Sequence, residues 1–356
     1  MYLARWPVGF VIIFCAISPA TGAPLTFSIT DLGTLGGAKS QPRSINNSAQ
    51  IVGLAMTSEG VYDAFIWSNG IMTDLGGNLA AANGINNAGQ ISGTSKAFHG
   101  FFQSGDTIAD IPFGQFTYGF GINSSGVVVG YGLFGGIPRS YSWSDGTLTD
   151  LGTLATEGSQ AASINDKGQI AGGLYLHVPF HTVGAGFLLS DGQLTILSTL
   201  GGGDGWANAI NNNGQIVGQS SLAGDRTTHA CIWYDGGILD LGTAGWKASY
   251  GNGINNNGQV VGTLMASAVD PITHAFLYSN GINVDLNDLI PADTGWILNN
   301  AYSINDAGQI VGDGINPQGL SHAFLLSPLP EPAFAGILFT CAGALFSTNR
   351  RRRERY

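Results

Sequence analysis

Charged residues are scarce in this chain of 356 residues: they make up 10% of it, and only 13 residues are Lys or Arg. Between residues 24 and 327, 7 Lys and Arg stand against 21 Asp and Glu, a net charge of −14. Nucleic acids bind to basic surfaces, so this balance argues against nucleic-acid binding. Cysteine is also scarce, and only Cys231 lies outside the two terminal segments. The region between the two terminal segments therefore cannot form an internal disulfide. Packing must stabilise its fold.

The chain also lacks recognisable clusters of catalytic or metal-ligating residues. Glu59 and Glu157 are the only glutamates between residues 24 and 327, and no phosphate-binding loop, Ser-His-Asp arrangement or Cys-His cluster stands apart from the rest. His177 and His181 have the i, i+4 spacing of helical metal ligands, but Pro179 between them disfavours a helix. We therefore predict a protein that is not an enzyme and that holds no cofactor and no metal.

Glycine, in contrast, is abundant at 55 residues, and one nine-residue phrase occurs seven times. The first copy is Ile45-Asn46-Asn47-Ser48-Ala49-Gln50-Ile51-Val52-Gly53, and the others begin at Ile85, Ile122, Ile164, Ile210, Ile254 and Ile304. Successive copies start 37 to 50 residues apart, about 43 on average, which is the spacing of four-stranded propeller blades. Six copies carry glycine where a tight turn needs positive φ. The first copy has Ala49 there, which predicts strain or a different turn type.

Two further signatures complete each unit. A strand of the type His274-Ala275-Phe276 follows each phrase, and after a short turn comes a strand that ends in Asp-Leu, as at Asp240. The seventh unit lacks an Asp-Leu strand, whereas an extra one stands at residues 26–33. The sequence thus predicts an all-β, seven-bladed β-propeller over residues 24–327, with four-stranded blades, closed by the N-terminal strand. The residue directly before each phrase is small. Because blades crowd together at the central axis, we predict that the strand leading into each phrase is the innermost of its blade.

The repeat resembles the HAF repeat of bacterial extracellular proteins, which is named for the His-Ala-Phe step. The resemblance covers nearly all of residues 26–326. It implies an extracellular location, but no activity, because the family is defined by its repeat.

Residues 1–23 have the composition of a secretory signal peptide. Arg5 precedes the apolar run from Val8 to Ile17, and small residues lead to an expected cleavage site near Ala23. The alternative is an uncleaved anchor helix.

Residues 328–356 resemble the PEP-CTERM sorting signal of Gram-negative bacteria. A Pro-Glu-Pro step is followed by the apolar run 333–346 and a basic tail; the residues of the motif and tail are Pro330, Glu331, Pro332, Arg350, Arg351, Arg352 and Arg353. The resemblance implies export through the Sec translocon and transient anchoring in the inner membrane by a C-terminal transmembrane helix. It also implies processing by an exosortase-type peptidase, with release to, or attachment at, the outer surface or extracellular matrix. The alternative is a plain C-terminal membrane anchor.

Histidines and aspartates recur at fixed repeat positions. Structural hydrogen bonds are predicted for His99, His229, His274 and His322. Turn and strand-end roles, in preference to calcium binding, are predicted for Asp31, Asp74, Asp150, Asp240 and Asp285.

Binding residues are expected on the face that carries the longer and more variable loops, which include residues 176–184, 220–228 and 264–273. The candidates for stacking on sugar rings are Trp206, Trp246, Trp296, Tyr118 and Tyr250. The competing interpretation is that these rings pack between blades. We predict a secreted or surface-sorted, non-enzymatic protein that binds extracellular polysaccharide or a surface protein. The alternatives are a polysaccharide-acting enzyme with acidic residues at the channel, and an architectural matrix component.

Overall fold

The computed structural model describes residues 25–330 except 153, 156, 179–180, 225–226 and 267–271. The described residues form seven antiparallel sheets of four strands each, which confirms the predicted all-β, seven-bladed propeller. The predicted signal peptide and C-terminal helix lie outside the described residues. Within the described part, no helix has the length and apolar character that crossing a bilayer requires.

The first strand is β1 (Phe27–Gly33). Blades 1 to 3 follow with β2 (Gly36–Ile45), β3 (Ile51–Thr57), β4 (Tyr62–Ser68), β5 (Ile71–Asp74), β6 (Leu79–Ile85), β7 (Ile91–Ser95), β8 (Gly100–Ser104), β9 (Thr107–Ile111), β10 (Thr117–Ile122), β11 (Val128–Phe134), β12 (Ile137–Ser144) and β13 (Thr147–Gly152). Blades 4 to 6 comprise β14 (Ser159–Ile164), β15 (Ile170–Val178), β16 (His181–Ser190), β17 (Gln193–Ile196), β18 (Gly201–Ile210), β19 (Ile216–Leu222), β20 (Thr228–Tyr234), β21 (Gly237–Asp240), β22 (Ala248–Ile254), β23 (Val260–Met265), β24 (Thr273–Ser279) and β25 (Ile282–Asp285). Two short 3-10 helices, Leu286–Leu289 and Ala292–Thr294, precede β26 (Ile297–Ile304), β27 (Ile310–Ile315) and β28 (Ser321–Pro328) of blade 7.

Strand order within the blades follows the repeat. In blade 1 it is β2-β3-β4-β5, and blades 2 to 6 repeat this order. In blade 7, β1 takes the place of the fourth strand, since it pairs antiparallel with β28 from Phe27 opposite Pro328 to Gly33 opposite Ala323. The innermost strand of each blade enters the phrase, as the small residues predict.

One segment expected to be a loop is part of a sheet. Residues 176–178 and 181–184 belong to β15 and β16, which pair from Leu176 opposite Val183 to Val178 opposite His181. The expectation was wrong because alternate apolar and β-branched residues continue the strand pattern past the usual blade edge.

Each innermost strand carries a β-bulge next to the phrase, and the bulge explains the phrase's final glycine. In blade 1, Pro42 pairs with Gly53 and Ser44 pairs with Val52, which leaves Arg43 as the extra residue. A Cβ on Gly53 would lie 2.1 Å from the carbonyl oxygen of Gln41 and 2.9 Å from the ring of Phe65. Contacts this short exclude any side chain. The ring of Phe65 therefore packs directly against the backbone of Gly53.

Seven buried asparagines join the blades to one another. Nδ2 of Asn46 donates to the backbone carbonyl of Asn86 at 3.0 Å, and the same bond recurs until Asn305 donates to the carbonyl of Asn46 at 3.1 Å. We call the set the asparagine belt: Asn46, Asn86, Asn123, Asn165, Asn211, Asn255 and Asn305. The phrase was interpreted from the sequence as turn chemistry; in the structure its first asparagine also fastens the ring.

The turn of the first phrase keeps the geometry of the others despite its alanine. Ala49 has φ 57°, and its N–H donates to the carbonyl of Asn46 at 3.1 Å. Gly89, at the same position in blade 2, has φ 77° and the equivalent bond to Asn86 at 3.0 Å. Of the two predicted consequences, strain is therefore the one present, because an L-residue in the left-handed region costs about 1 kcal/mol.

Replacing Ala49 with glycine is expected to raise the free energy of unfolding by roughly 0.5 to 1 kcal/mol, since relief of the strain outweighs the extra chain entropy of glycine. Urea denaturation measures the change. Ala88 is the matched control, because it is an alanine of the same turn in blade 2 without positive φ. Ala88→Gly should lower stability, and equal losses in the two variants would contradict the strain argument.

Candidate functional site

Two cavities lie along the central channel. They share only the seven isoleucines that begin the phrases, which we call the isoleucine collar: Ile45, Ile85, Ile122, Ile164, Ile210, Ile254 and Ile304. The smaller cavity, about 180 Å³, lies on the side of the asparagine turns, which we call the turn mouth. The larger, about 330 Å³, lies on the side of the bulges and is called the loop mouth. The apolar collar thus separates two polar chambers.

The turn mouth is lined by groups that already satisfy one another. The backbone N–H of Asn256 donates to Oδ1 of Asp306 at 2.9 Å, and Nδ2 of Asn47 and of Asn256 donate to its Oδ2. Burial alone would raise the pKa of Asp306, but these hydrogen bonds outweigh it and lower that pKa. Asp166 is held in the same way by Ser124 and Asn212. Among the described residues, no group of three or more His, Cys, Asp or Glu side chains is placed to hold a metal ion.

On the other side of the collar, aromatic rings extend over blades 3 to 5. The rings of Tyr118 and Phe120 lie 5.0 and 5.8 Å from the ring of Tyr131, and Tyr175 lies 5.3 Å from Trp206 in the next blade. Burial raises the pKa of Tyr131 to about 12, with further contributions from Tyr118 and Tyr175. The phenol therefore stays neutral at physiological pH. None of these five residues is fully buried.

Trp206 is seated by a glycine of the neighbouring blade. A Cβ on Gly173 would lie 2.3 Å from carbon atoms of the indole, so the ring rests directly on this backbone. The other six blades carry a side chain at this position: Leu54, Thr94, Tyr131, Gln219, Thr263 and Asp313.

The same indole borders a cleft of about 230 Å³ that Tyr250 also lines. Gln219 lines this cleft as well, and Asp204 holds its rim by accepting a hydrogen bond from the N–H of Gly184 at 2.8 Å. We call the cleft together with the rings that lead to it the aromatic arc: Tyr118, Phe120, Tyr131, Tyr175, Trp206 and Tyr250.

A hydrogen-bonded polar network lies on the opposite sector of the loop mouth, in blades 6, 7 and 1. Thr263 donates to Oδ1 of Asn300 at 2.9 Å, and Nδ2 of Asn300 donates to Asp313 at 2.9 Å. The hydroxyl of Tyr302 is hydrogen-bonded to Asp313 and accepts from Nε2 of Gln41 at 2.6 Å. Of these residues, Tyr302 lines the larger cavity, and the network links blades 6, 7 and 1.

Arg43 adds a single charge to this wall. Its guanidinium lies 5.8 Å from the centre of the Tyr302 ring, a weak cation–π contact. Among the residues that line the larger cavity, it is the one charged side chain.

Asp313 predicts a pH dependence of stability. Burial raises its pKa despite the opposing hydrogen bonds from Asn300 and Tyr302 and the charge of Arg43. The carboxyl of Asp313 therefore binds its proton more tightly in the folded chain than in the unfolded chain. Its contribution to the free energy of unfolding falls as the pH rises above 3.8, the ordinary pKa of aspartate. Asp313→Asn should be more stable than the wild type at pH 7, and the difference should vanish near pH 3.

Asp306 is the control, because its pKa is lowered and its effect on stability therefore changes with pH in the opposite direction. Asp306→Asn should be less stable than the wild type at pH 7, and that deficit should shrink as the pH falls through the folded pKa. Thermal unfolding across pH 3 to 7 measures both variants. Two pH profiles of the same sign would contradict the assignment.

Of the five aromatic candidates, the structure brings Tyr118, Trp206 and Tyr250 into the arc. Trp246 and Trp296 instead pack against the core, with ring centres 4.5 Å from His274 and 6.2 Å from Phe324. All five candidates are half-buried, and Trp206 also packs between blades, because its indole rests on Gly173 of blade 4. Sequence reasoning missed Phe120, Tyr131 and Tyr175 because it considered aromatic residues only four and eight positions before a phrase. Phe120 lies two positions before its phrase, and Tyr131 and Tyr175 follow theirs on the second strand. An aromatic residue just after the phrase, as in Tyr131, was the available signal.

The recurrent histidines and aspartates have the predicted structural roles. Nδ1 of His99 lies 2.7 Å from Asp110, and Nδ1 of His274 lies 2.6 Å from Asp285. The remaining pairs are His229 with Asp240, and His322 with Asp31. The aspartates also accept from the backbone at the strand end, as Asp31 does from Gly33 at 2.8 Å. Of the predicted sorting residues, Pro330 is the last described residue, and the others lie outside the described part.

No family model matches the chain. No curated protein matches it either. Among solved structures, a Mycobacterium tuberculosis puromycin-hydrolyzing peptidase is similar at 10% identity over 86% of this chain, with a TM-score of 0.54. The chain spans 56% of that protein's length. A gluconolactonase from Xanthomonas campestris is similar at 11% identity, over 88% of this chain and 99% of its own, with a TM-score of 0.42. Likeness at this level concerns the fold alone.

Proposed function

We propose that this protein is a non-enzymatic propeller that binds extracellular polysaccharide through the aromatic arc. The observation that carries the proposal is the seating of Trp206 on Gly173, beside a cleft that Tyr250 and Gln219 also line. Flat, β-linked hexose rings present C–H faces that stack on such rings, while amide groups bond their hydroxyls. The opposite polar sector supplies further hydrogen-bonding groups.

A binding role fits this site better than hydrolysis does. Glycoside hydrolysis uses a pair of carboxyl groups on either side of the scissile bond. Among the described residues that line the cleft, Asp204 is the one carboxylate, and its Oδ1 accepts from the backbone of Gly184. Asp166 and Asp306 line the other cavity, across the isoleucine collar.

Truncation of the arc is expected to abolish most of the affinity. Trp206→Ala or Tyr250→Ala should weaken binding of cellohexaose, a flat β-linked probe, about 10-fold to 100-fold, because each removes a stacking surface worth roughly 1–3 kcal/mol. Isothermal titration measures the dissociation constant. Tyr234 is the matched control: it is exposed, and it lies beside the turn at Gly236 on the opposite face. Tyr234→Ala should leave the affinity unchanged.

Other results would favour the alternatives. New reducing ends after incubation with the polysaccharide would identify an enzyme. Binding to cell-envelope protein, with no binding to any glycan on an array, would indicate a protein partner or an architectural component.

For the route to the surface, we propose export by the Sec translocon and processing at Pro330-Glu331-Pro332 by an exosortase-type peptidase. The composition of both terminal segments supports this proposal. Glu331→Ala, expressed in the native host, should leave the protein with its C-terminal segment in the membrane fraction. Mass spectrometry of the protein's C-terminus tests this, and normal processing of the variant would contradict it.

We further propose that β1 acts as the closing strand of the ring. The pairing of β1 with β28 and the contact of Nδ1 of His322 with Asp31 at 2.9 Å support it. The edge of β28 would otherwise be open to pairing with other chains.

A further inference from the structure

Phe98 combines two unfavourable properties. It lies in the left-handed region, with φ 60°, which is rare for a bulky side chain. Its side chain is also 50% exposed, which leaves much of the ring in water. Strain and exposure together at one residue indicate a role other than stability.

The same turn in two other blades has glycine at this position. In blade 2, Phe98 N–H donates to the carbonyl of Ser95 at 3.0 Å. The equivalent bonds at 3.0 and 2.9 Å are made by Gly60 in blade 1 and Gly319 in blade 7, with φ 80° and 79°. The backbone therefore needs no phenylalanine here, and glycine would be the less strained choice.

The ring of Phe98 meets a second exposed ring. Phe116 is 40% exposed, and the two rings pack edge to face with centres 5.2 Å apart. Neither ring belongs to the buried clusters of the core. An exposed apolar pair on the loop face is therefore available to a ligand.

Phe116 is continuous with the aromatic arc. The N–H of Leu133 donates to the carbonyl of Phe116 at 2.9 Å, and the N–H of Gln115 donates to the carbonyl of Leu133 at 2.8 Å, so Phe116 is held against β11 directly before β10 begins. Phe116 precedes Tyr118 by two residues, and the ring of Tyr118 stacks with that of Phe120 at 6.3 Å. A row of aromatic residues thus leads from the rim into the channel.

We propose that Phe98 and Phe116 form an outer stacking platform for the sugar rings of a polysaccharide chain whose other sugars occupy the aromatic arc. This inference rests on the proposed function. It adds a second contact, so it predicts that affinity rises with the length of the sugar chain.

The test compares cellobiose and cellohexaose on the wild type and on Phe98→Gly. The variant should bind cellobiose as the wild type does and bind cellohexaose about 10-fold more weakly, because the longer chain alone reaches the platform. Its melting temperature should equal or exceed that of the wild type, since glycine fits the turn. Phe116→Ala should show the same selective loss. Ile71→Ala, at an exposed residue beside the turn at Gly70, is the control and should bind both sugars normally.

Unchanged binding of cellohexaose by Phe98→Gly and Phe116→Ala would overturn the platform while leaving the arc in place. Absence of binding by the wild type would overturn both proposals. Sedimentation velocity separates a further case: a concentration-dependent dimer that Phe98→Gly dissociates would show that the pair is a contact between copies of the chain, and it would overturn the sugar platform.

Discussion

Replacing Asn211 with alanine is expected to lower the free energy of unfolding by about 3–5 kcal/mol, because one buried side chain supports four hydrogen bonds. Its Nδ2 donates to Oε1 of Gln215 at 2.8 Å and to the carbonyl of Asn255 at 2.9 Å. Its Oδ1 accepts from the N–H groups of Asn213 and Gln215 at 3.0 and 2.9 Å. Alanine would leave these groups without a partner. Water from the turn mouth would satisfy some of them, which limits the loss to this range.

The matched control lies two residues further along the same turn. Asn213 also donates to the next blade, through Nδ2 to the carbonyl of Asn256 at 2.8 Å, but it is exposed. Asn213→Ala should therefore lower stability by only about 0.5–1 kcal/mol. Guanidinium denaturation followed by tryptophan fluorescence measures both variants. If the two losses were equal, burial of the asparagine belt would not be what fastens the blades.

Removing the aromatic anchor of β1 is expected to have an effect of similar size. Phe27 is 1% exposed and packs in the cluster that contains Phe324 and Leu326 of blade 7. Phe27→Ala should lower the free energy of unfolding by about 3–5 kcal/mol, through lost burial and the cavity left behind. Deletion of residues 26–33 should do more, because it also exposes the edge of β28 and should produce dimers or aggregates.

Differential scanning calorimetry and light scattering test this second prediction. Leu25→Ala is the control, since Leu25 is 39% exposed and precedes the strand. A deletion variant that stays monomeric, with the melting temperature of the full chain, would show that β1 is dispensable and would refute its role as closing strand.

Local periodicity predicted the blades correctly because a blade is built from neighbours in sequence. The phrase, the His-Ala-Phe strand and the Asp-Leu strand lie within one period, so turn chemistry and strand alternation are enough to order them. The pairing of His274 with Asp285 belongs to the same local pattern, since Asp285 lies opposite Phe276, two residues from His274, on the adjacent strand. Extension of β15 and β16 was missed because the strand pattern there continues beyond the repeat.

The candidate site shows where such reasoning ends. Trp246 and Trp296 share one offset from their phrases, yet both pack inward against the core. Trp206 rests instead on Gly173 of the preceding blade, which leaves room for its indole beside the cleft. A relation between two blades is not visible in the pattern of either one.

The sequence by itself determined the number of blades, the strand order and the position of the turns, because these depend on contacts between residues of one repeat. Only the tertiary structure decided which of the repeated side chains contact a neighbouring blade. Asn305 reaches the carbonyl of Asn46 because the ring brings blade 7 beside blade 1, and the aromatic arc exists because rings from the first and second strands of neighbouring blades meet, as Tyr175 meets Trp206. The same asparagine thus accepts the hydrogen bonds of a turn within one repeat and donates a hydrogen bond to the next blade, because the ring places the two blades side by side.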